Sequence, residues 1–129
     1  MYSRSDVLNM GEDKSMKPNV PLYQAKAELF RTLGHPVRIR VLELLQDGPR
    51  PVRELLAEIE VESSSLSQQL AVLRRAGLVS SSREGGAVLY TLSTPDVAKL
   101  LLHGRRILAS MWTDQEGLLA ELRESAEGV

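Results

Sequence analysis

A serine- and glutamine-rich segment, residues 63–79, carries side chains whose types and spacing suit the recognition of DNA bases. Leu66, Leu70 and Leu73 recur at the i, i+4, i+7 spacing of a buried helical stripe. With the leucines buried, the hydroxyl and amide groups of the helix lie on its exposed side, where their donors and acceptors match base edges. We predict that the polar residues of this helix contact DNA: Ser63, Ser64, Ser65, Ser67, Gln68 and Gln69. The alternative interpretation is an ordinary solvated helix face.

Basic side chains lie at the end of this helix and beyond it, at positions suited to DNA phosphates. Between Ser63 and Arg83 the charged residues are Arg74, Arg75 and Arg83 itself, and all three are basic. Arg74 and Arg75 lie in the last turn of the predicted helix, where a cation is also favoured by the helix dipole alone. Arg83 is expected at the tip of a hairpin. We predict that these three arginines and Tyr90 complete the set of DNA contacts.

Three prolines mark the helices that position the serine-rich helix. Pro21, Pro36 and Pro51 each suit the start of a helix, where the missing N–H costs nothing. The helix after Pro51 is short, and residues 60–62 connect it to the serine-rich helix. His35, directly before Pro36, is interpreted as a residue that begins the second helix.

The pattern changes from helical to alternating after Gly77. Residues 78–83 and 87–92 read as two strands of a β-hairpin, and Gly85 and Gly86 permit the positive φ angles of its tight turn. Helices followed by a hairpin and a further helix, with a short helix leading into the serine-rich one, predict a winged helix-turn-helix. The fold class is therefore mainly α with a small β-hairpin.

A long final helix is predicted from Pro95 onward. Its apolar residues follow a 4-3 spacing typical of a helix that packs against a partner helix. Gly117 is expected to bend or fray it. The predicted organisation is an N-terminal flexible arm (1–20), a winged helix-turn-helix core (21–94), a C-terminal dimerisation helix (95–124) and a tail (125–129).

Composition excludes several classes of protein. The chain has 129 residues, 43% of them hydrophobic and 26% charged, as in an ordinary soluble domain. It has no cysteine, which excludes disulfides, thiolate metal sites and cysteine nucleophiles. No apolar run approaches a membrane span, and the polar N-terminus does not resemble a secretory signal, so we expect a cytoplasmic protein without a membrane partner.

Two blocks of sequence resemble the ArsR/SmtB family of bacterial dimeric repressors: Leu29–Leu45, which contains Leu33-Gly34-His35-Pro36-Val37-Arg38, and Ser67–Val79. The triplet Ser67-Gln68-Gln69 matches the family pattern except that Gln69 replaces the usual histidine. A glutamine amide still permits a bidentate contact to adenine. The resemblance implies a homodimer that is formed by the first and last helices and reads a palindromic operator until an inducer releases it.

The resemblance and the apolar stripes together predict the dimerisation residues. They are Leu22, Tyr23, Val97, Leu101, Leu108, Met111 and Trp112. Met111 and Trp112 suit either the core of a dimer or a pocket for a small apolar effector, and we favour the dimer core. The sequence identifies no inducer.

Metal binding and catalysis are not expected. Relatives with a metal site in the last helix have an Asp-x-His pair there, whereas this chain has Asp96-Val97-Ala98, and His103 stands alone. A metal site would then require His103 from both subunits. No nucleophile elbow or phosphate-binding loop is present, so we expect neither a cofactor nor an enzyme.

The sequence therefore predicts a transcriptional regulator that binds an inverted repeat in double-stranded DNA as a homodimer and represses transcription. The alternative is a protein-interaction module that pairs with another regulator and does not bind DNA. The polar face of the serine-rich helix and its basic flank favour the regulator.

Overall fold

The computed structural model describes residues 19–112 and 116–127, which form two compact units that divide between Pro95 and Asp96. The described elements of the first unit are α1 (Leu22–Leu33), α2 (Pro36–Leu44), a 3-10 turn (Leu45–Asp47), β1 (Arg50–Pro51), α3 (Val52–Glu58), α4 (Ser63–Arg75), β2 (Val79–Glu84) and β3 (Ala87–Leu92). The second unit contains α5 (Asp96–Met111) and α6 (Glu116–Glu127). The predicted fold class, mainly α with a small β-hairpin, is confirmed, and a third short strand joins the hairpin in an antiparallel sheet. Most of the predicted arm and the end of the predicted tail lie outside the described residues.

Leucine side chains form most of the core of the first unit. The buried hydrophobic residues of that unit are Leu33, Val41, Leu42, Leu44, Leu45, Leu55, Ile59, Leu66, Leu70, Leu73, Leu78 and Val79. They come from the four helices, the 3-10 turn, the residue that follows α3 and the start of the hairpin, so each of these helices turns one apolar face inward. Truncating one such leucine to alanine costs about 2–5 kcal/mol, because the lost burial and the cavity add. The core therefore fixes the position of α4 against the other helices.

The start of α2 is capped by the side chain of His35. Its Nδ1 atom accepts a hydrogen bond of 3.2 Å from the backbone N–H of Val37, and Pro36 occupies the first helical position. The bond satisfies one of the N–H groups that the first turn of a helix leaves without a partner. The interpretation of His35 as the residue that begins this helix is confirmed.

The sheet has three strands in the order β1-β3-β2, all antiparallel. The hairpin of β2 and β3 was predicted, but β1 was not. Pro51 was expected to open a helix, whereas it pairs with Leu89 in β1 and then serves as the N-cap of α3. A proline has no N–H to donate, so an edge strand accommodates it.

Two helices are described in the region of the predicted C-terminal helix, residues 95–124. Helix α5 ends at Met111, Trp112 lies outside it, and α6 begins at Glu116. Gly117, where the bend was expected, lies within α6. An apolar 4-3 spacing shows which residues share a helix face, but it does not show where a helix ends. The spacing can therefore continue from one helix into the next. Neither of these helices, nor any other in the described ranges, is long and apolar enough to cross a membrane.

Candidate nucleic-acid interface

Helix α4 presents a polar face directly opposite its buried leucines. Leu66, Leu70 and Leu73 point into the core, and Leu70 is the most exposed of them at 1%. Ser64, Gln68 and Arg75 are exposed on the opposite side, at i, i+4 and i+11 of the helix. These three side chains therefore form one row along the helix, which we call the reading face.

The other predicted polar residues of α4 flank the reading face. Ser63 and Ser67 are exposed on one flank. Ser65 and Gln69 are half-buried on the other flank. The structure thus brings all six predicted side chains onto one helix, but it gives them unequal access to a ligand.

The end of α4 places two arginines beside the hairpin. Gly77 adopts a φ of 81°, its N–H donates to Arg74 O, and the N–H of Leu78 donates to Leu73 O, each at 3.0 Å. This pair of hydrogen bonds is a Schellman motif, in which glycine ends the helix without steric penalty. The chain consequently leaves α4 after Arg75 and enters β2 at Val79. Arg75 is exposed.

Arg74 links α4 to the hairpin. Its Nη1 atom donates a hydrogen bond of 3.2 Å to the hydroxyl oxygen of Ser81 in β2. Arg74 is exposed, so its charge remains accessible to an anion while the bond orients it. The link aligns the basic end of α4 with the hairpin.

The tip of the hairpin carries Arg83. Gly85 and Gly86 have φ angles of 58° and 82°, which are the positive values required by a two-residue type I′ turn. Arg83 is exposed and pairs with Val88. Only Glu84 lies between Arg83 and the two glycines of the turn. The exposed guanidinium of Arg83 is therefore accessible to a ligand.

Tyr90 occupies the central strand and not the tip. It pairs with Ser81 on β2 and with Arg50 on β1, so these three residues share one face of the sheet. Tyr90 is half-buried. Arg50 also approaches Glu54, with 3.9 Å between Nη1 and Oε1. Tyr90 is therefore less accessible than Arg83 for a direct contact.

Gln69 has a partner that the sequence did not reveal. Arg38 of α2 donates from Nε to Gln69 Oε1 at 2.7 Å and from Nη1 to the carbonyl oxygen of Thr32 at 3.0 Å. Arg38 and Gln69 are 31 residues apart, and no periodic pattern connects two residues so distant in sequence. We call this pair the Arg38–Gln69 clamp.

The predicted dimerisation residues differ in exposure. Tyr23 on α1 is 72% exposed and Leu22 is similarly open. On α5, Met111 is 65% exposed, whereas Val97 is only 6% exposed and has little surface left to bury in a dimer. Leu101, Leu108 and Trp112 are half-buried. Apolar surface is therefore open on both α1 and α5, around a subset of the predicted residues.

The histidines are separate from any cluster of metal ligands. His35 uses Nδ1 to cap α2, and His103 is exposed on α5. Within residues 19–112 and 116–127, no group of three or more histidine, aspartate or glutamate side chains is arranged to hold a metal ion.

Comparison with known proteins identifies one family. The model for the bacterial regulatory protein, arsR family, matches residues 35–81, which extend from the cap of α2 into β2. Rv0081 of Mycobacterium tuberculosis, named as an uncharacterized HTH-type transcriptional regulator, is 52% identical over 104 residues, covering 80% of this chain and 91% of that protein. The HTH-type transcriptional repressor SmtB of the same organism is 36% identical over 85 residues, covering 66% and 63% of the two chains.

A solved structure shows the same architecture. The crystal structure of M. tuberculosis Rv0081 matches with a TM-score of 0.68 and 52% sequence identity, over 75% of this chain and 98% of that chain. The matched family region contains α3, α4 and Arg38, and therefore most of the candidate interface.

Proposed function

The chain belongs to the ArsR family of bacterial regulatory proteins and is a DNA-binding transcriptional regulator, and we propose that it represses transcription as a homodimer bound to an inverted-repeat operator. DNA as its partner supports a cytoplasmic location. The single observation that carries this proposal is the reading face of α4, where Ser64, Gln68 and Arg75 are exposed opposite a buried leucine stripe.

The reading face offers the chemistry of base recognition. The carboxamide of Gln68 both donates and accepts, and the hydroxyl of Ser64 does the same, so both match major-groove base edges. Arg74, Arg75 and Arg83 are exposed on the end of α4 and on the hairpin, where contacts to phosphates would fix the register of the helix on the duplex. Base contacts then supply specificity and the arginines supply affinity.

Exposed apolar side chains support the homodimer. Tyr23 and Phe30 on α1, and Ile107 and Met111 on α5, are each more than half exposed. Tyr23 and Phe30 are at i and i+7 of α1, and Ile107 and Met111 at i and i+4 of α5, so each pair shares one helix face. Neighbouring exposed apolar side chains mark interaction sites. Two copies that bury them would carry two α4 helices related by a twofold axis.

A twofold dimer predicts the spacing of its operator. Each α4 would enter one major groove, so the two half-sites should lie about 10–10.5 bp apart, or a multiple of that, as an inverted repeat. The experiment is selection of bound sequences from a randomised duplex pool, followed by footprinting of the selected site. Enrichment of no sequence would contradict the proposal.

Gln68 provides the test of the reading face. Gln68→Ala should relax base preference at one position in each half-site, at a cost of about 1–3 kcal/mol per contact. Gln46→Ala is a matched control, because Gln46 is an exposed glutamine of the 3-10 turn and not of α4. Equal weakening of selected and random DNA by Gln68→Ala would show that the reading face is assigned incorrectly.

The direction of regulation is tested on the selected operator. SmtB, a relative, is named a repressor, which supports repression here. A bound dimer that overlaps a promoter would exclude RNA polymerase by steric hindrance. Transcription in vitro from a promoter containing the operator should fall as the protein is added, and an increase would contradict repression.

A further inference from the structure

The Arg38–Gln69 clamp fixes which end of the Gln69 carboxamide is available to a ligand. A guanidinium has only donors, so the atom 2.7 Å from Arg38 Nε must be the carboxamide oxygen. The same guanidinium donates to the carbonyl oxygen of Thr32, near the end of α1, which restricts its own movement. Two hydrogen bonds to separate elements therefore hold the oxygen side of Gln69 toward α2.

The amide nitrogen of Gln69 reaches solvent. Among the described residues no buried side-chain nitrogen or oxygen lacks a hydrogen-bond partner, and no acceptor for Gln69 Nε2 is found among them. Gln69 lies beside Gln68 on the half-buried flank of the reading face. Its NH₂ group is therefore not fully enclosed by the protein, and it lies at the margin of that face.

This orientation changes what Gln69 recognises. A glutamine that reads adenine in a bidentate manner accepts from N6 through its oxygen and donates to N7 through its nitrogen. Here the oxygen is engaged by a charged donor, and hydrogen bonds to charged groups are about twice as strong as neutral ones. Because that bond also holds the oxygen toward α2, the NH₂ group is the end of the carboxamide that remains for a base. Guanine presents two adjacent acceptors to it, N7 and O6, and thymine presents O4, whereas adenine places its N6 donor beside N7.

We propose that Arg38 is a positioning residue that holds Gln69 as a donor-only reader, so that Gln69 selects guanine or thymine and rejects bidentate adenine recognition. The proposal rests on the proposed sequence-specific binding of DNA by α4 and names a determinant of its specificity. Arg38 itself acts through Gln69 and not on the base.

Selection from a randomised duplex pool tests the proposal with the full chain. Gln69→Ala identifies the position in each half-site that depends on Gln69. Arg38→Met removes the guanidinium donors and keeps a long side chain. The freed carboxamide of Gln69 should then be able to bind adenine in a bidentate manner at that position. Discrimination against adenine there should fall by about 5- to 150-fold, the range of one bidentate contact, and the other positions should keep their preferences.

Two comparisons separate positioning from a general effect of Arg38. Arg40→Met is the matched control for charge, because Arg40 is an exposed arginine on the same helix and pairs with Glu43 at 3.4 Å. In the Gln69→Ala background, Arg38→Met should leave the preference at that position unchanged. A uniform loss of affinity in both backgrounds, with no change in preference, would overturn the proposal and leave Arg38 a structural or phosphate-binding residue.

A measurement without DNA distinguishes failure of the clamp from failure of the proposed function. In ¹⁵N-labelled protein, the Nε–H of Arg38 should exchange with solvent more slowly than that of Arg40, and Gln69→Ala should remove the difference. Equal exchange rates in the wild-type chain would overturn the clamp. If no DNA sequence is enriched while the protection is present, the proposed function fails, and with it the assignment of Gln69 as a reader.

Discussion

Gln68 and Gln69 are adjacent residues of one type with different surroundings. Successive residues of a helix are rotated by about 100°, so one side chain lies on the reading face and the other turns toward α2. The sequence placed both on the polar side of α4, because periodicity locates the buried stripe and not its flanks. The hydrogen bond from Arg38 is a long-range contact, and only the fold reveals it.

Arg75 should make a sequence-independent contribution to DNA binding. It is exposed at the end of the reading face, where its guanidinium would contact a phosphate of the proposed DNA and release counterions. Arg75→Ala should weaken selected and random duplexes by the same factor. The slope of log K against log salt concentration should become shallower by about 0.9 for each phosphate that the variant no longer neutralises. Arg123→Ala, which removes an exposed arginine of α6, should leave the slope unchanged.

His35 should stabilise the fold through its cap on α2. His35→Ala removes the acceptor for the Val37 N–H, and the free energy of unfolding should fall by about 1 kcal/mol. His35→Asn supplies another acceptor at a position where asparagine is preferred, so it should retain most of the stability. Urea unfolding at one fixed protomer concentration measures both. Equal losses in the two variants would show that the cap contributes nothing.

At the scale of elements, local patterns predicted α4 and the hairpin but not the long-range contacts that support them. The leucine stripe located α4, and Gly85-Gly86 located the turn between β2 and β3, since each signal is contained within a few residues. Strand β1 has two residues, too few to show an alternating pattern, and its pairing with β3 spans about forty positions. Such a pairing depends on tertiary structure.

The interruption of the final helix illustrates the same limit. The apolar spacing continues from α5 to α6, so the sequence indicated one helix. An apolar stripe is a strong signal of a shared helix face, and it dominated the prediction.

Gly77 should be essential to the junction between α4 and the hairpin. A left-handed conformation costs an ordinary L-residue about 1–2 kcal/mol, so Gly77→Ala should destabilise the protein by that amount. Gly77→Asn should cost less, because asparagine adopts this conformation more readily. Thermal unfolding followed by circular dichroism compares the two. Identical midpoints for wild type and Gly77→Ala would contradict the requirement for glycine.

At the scale of the whole molecule, charge is unevenly distributed along the chain. The net charge of −1 gives no indication of DNA binding. Residues 63–83 nevertheless contain only basic charges, whereas residues 105–129 contain three arginines and five acidic residues. A duplex is therefore attracted to residues 63–83 more than to residues 105–129.

The homodimer should depend on the exposed apolar face of α1. Tyr23 is 72% exposed, so Tyr23→Glu should leave the fold of the protomer intact while placing a charge where the proposed interface excludes water. Light scattering at micromolar protein should then give the protomer mass of 14.3 kDa, whereas the wild type should give about twice that value. Gln24→Glu, an equal change of charge at the neighbouring exposed position, is the matched control and should remain dimeric.

The same variant connects assembly to operator binding. A monomer presents one α4 and reads one half-site, so Tyr23→Glu should lose the tight binding that needs two half-sites on one duplex. Its binding to a duplex with a single half-site should match that of the wild-type protomer, since the reading face is unchanged. A wild-type mass of 14.3 kDa would contradict the homodimer, and a dimeric Tyr23→Glu would remove α1 from the interface. A monomeric Tyr23→Glu that still bound the full operator with wild-type affinity would show that DNA recognition does not require the dimer.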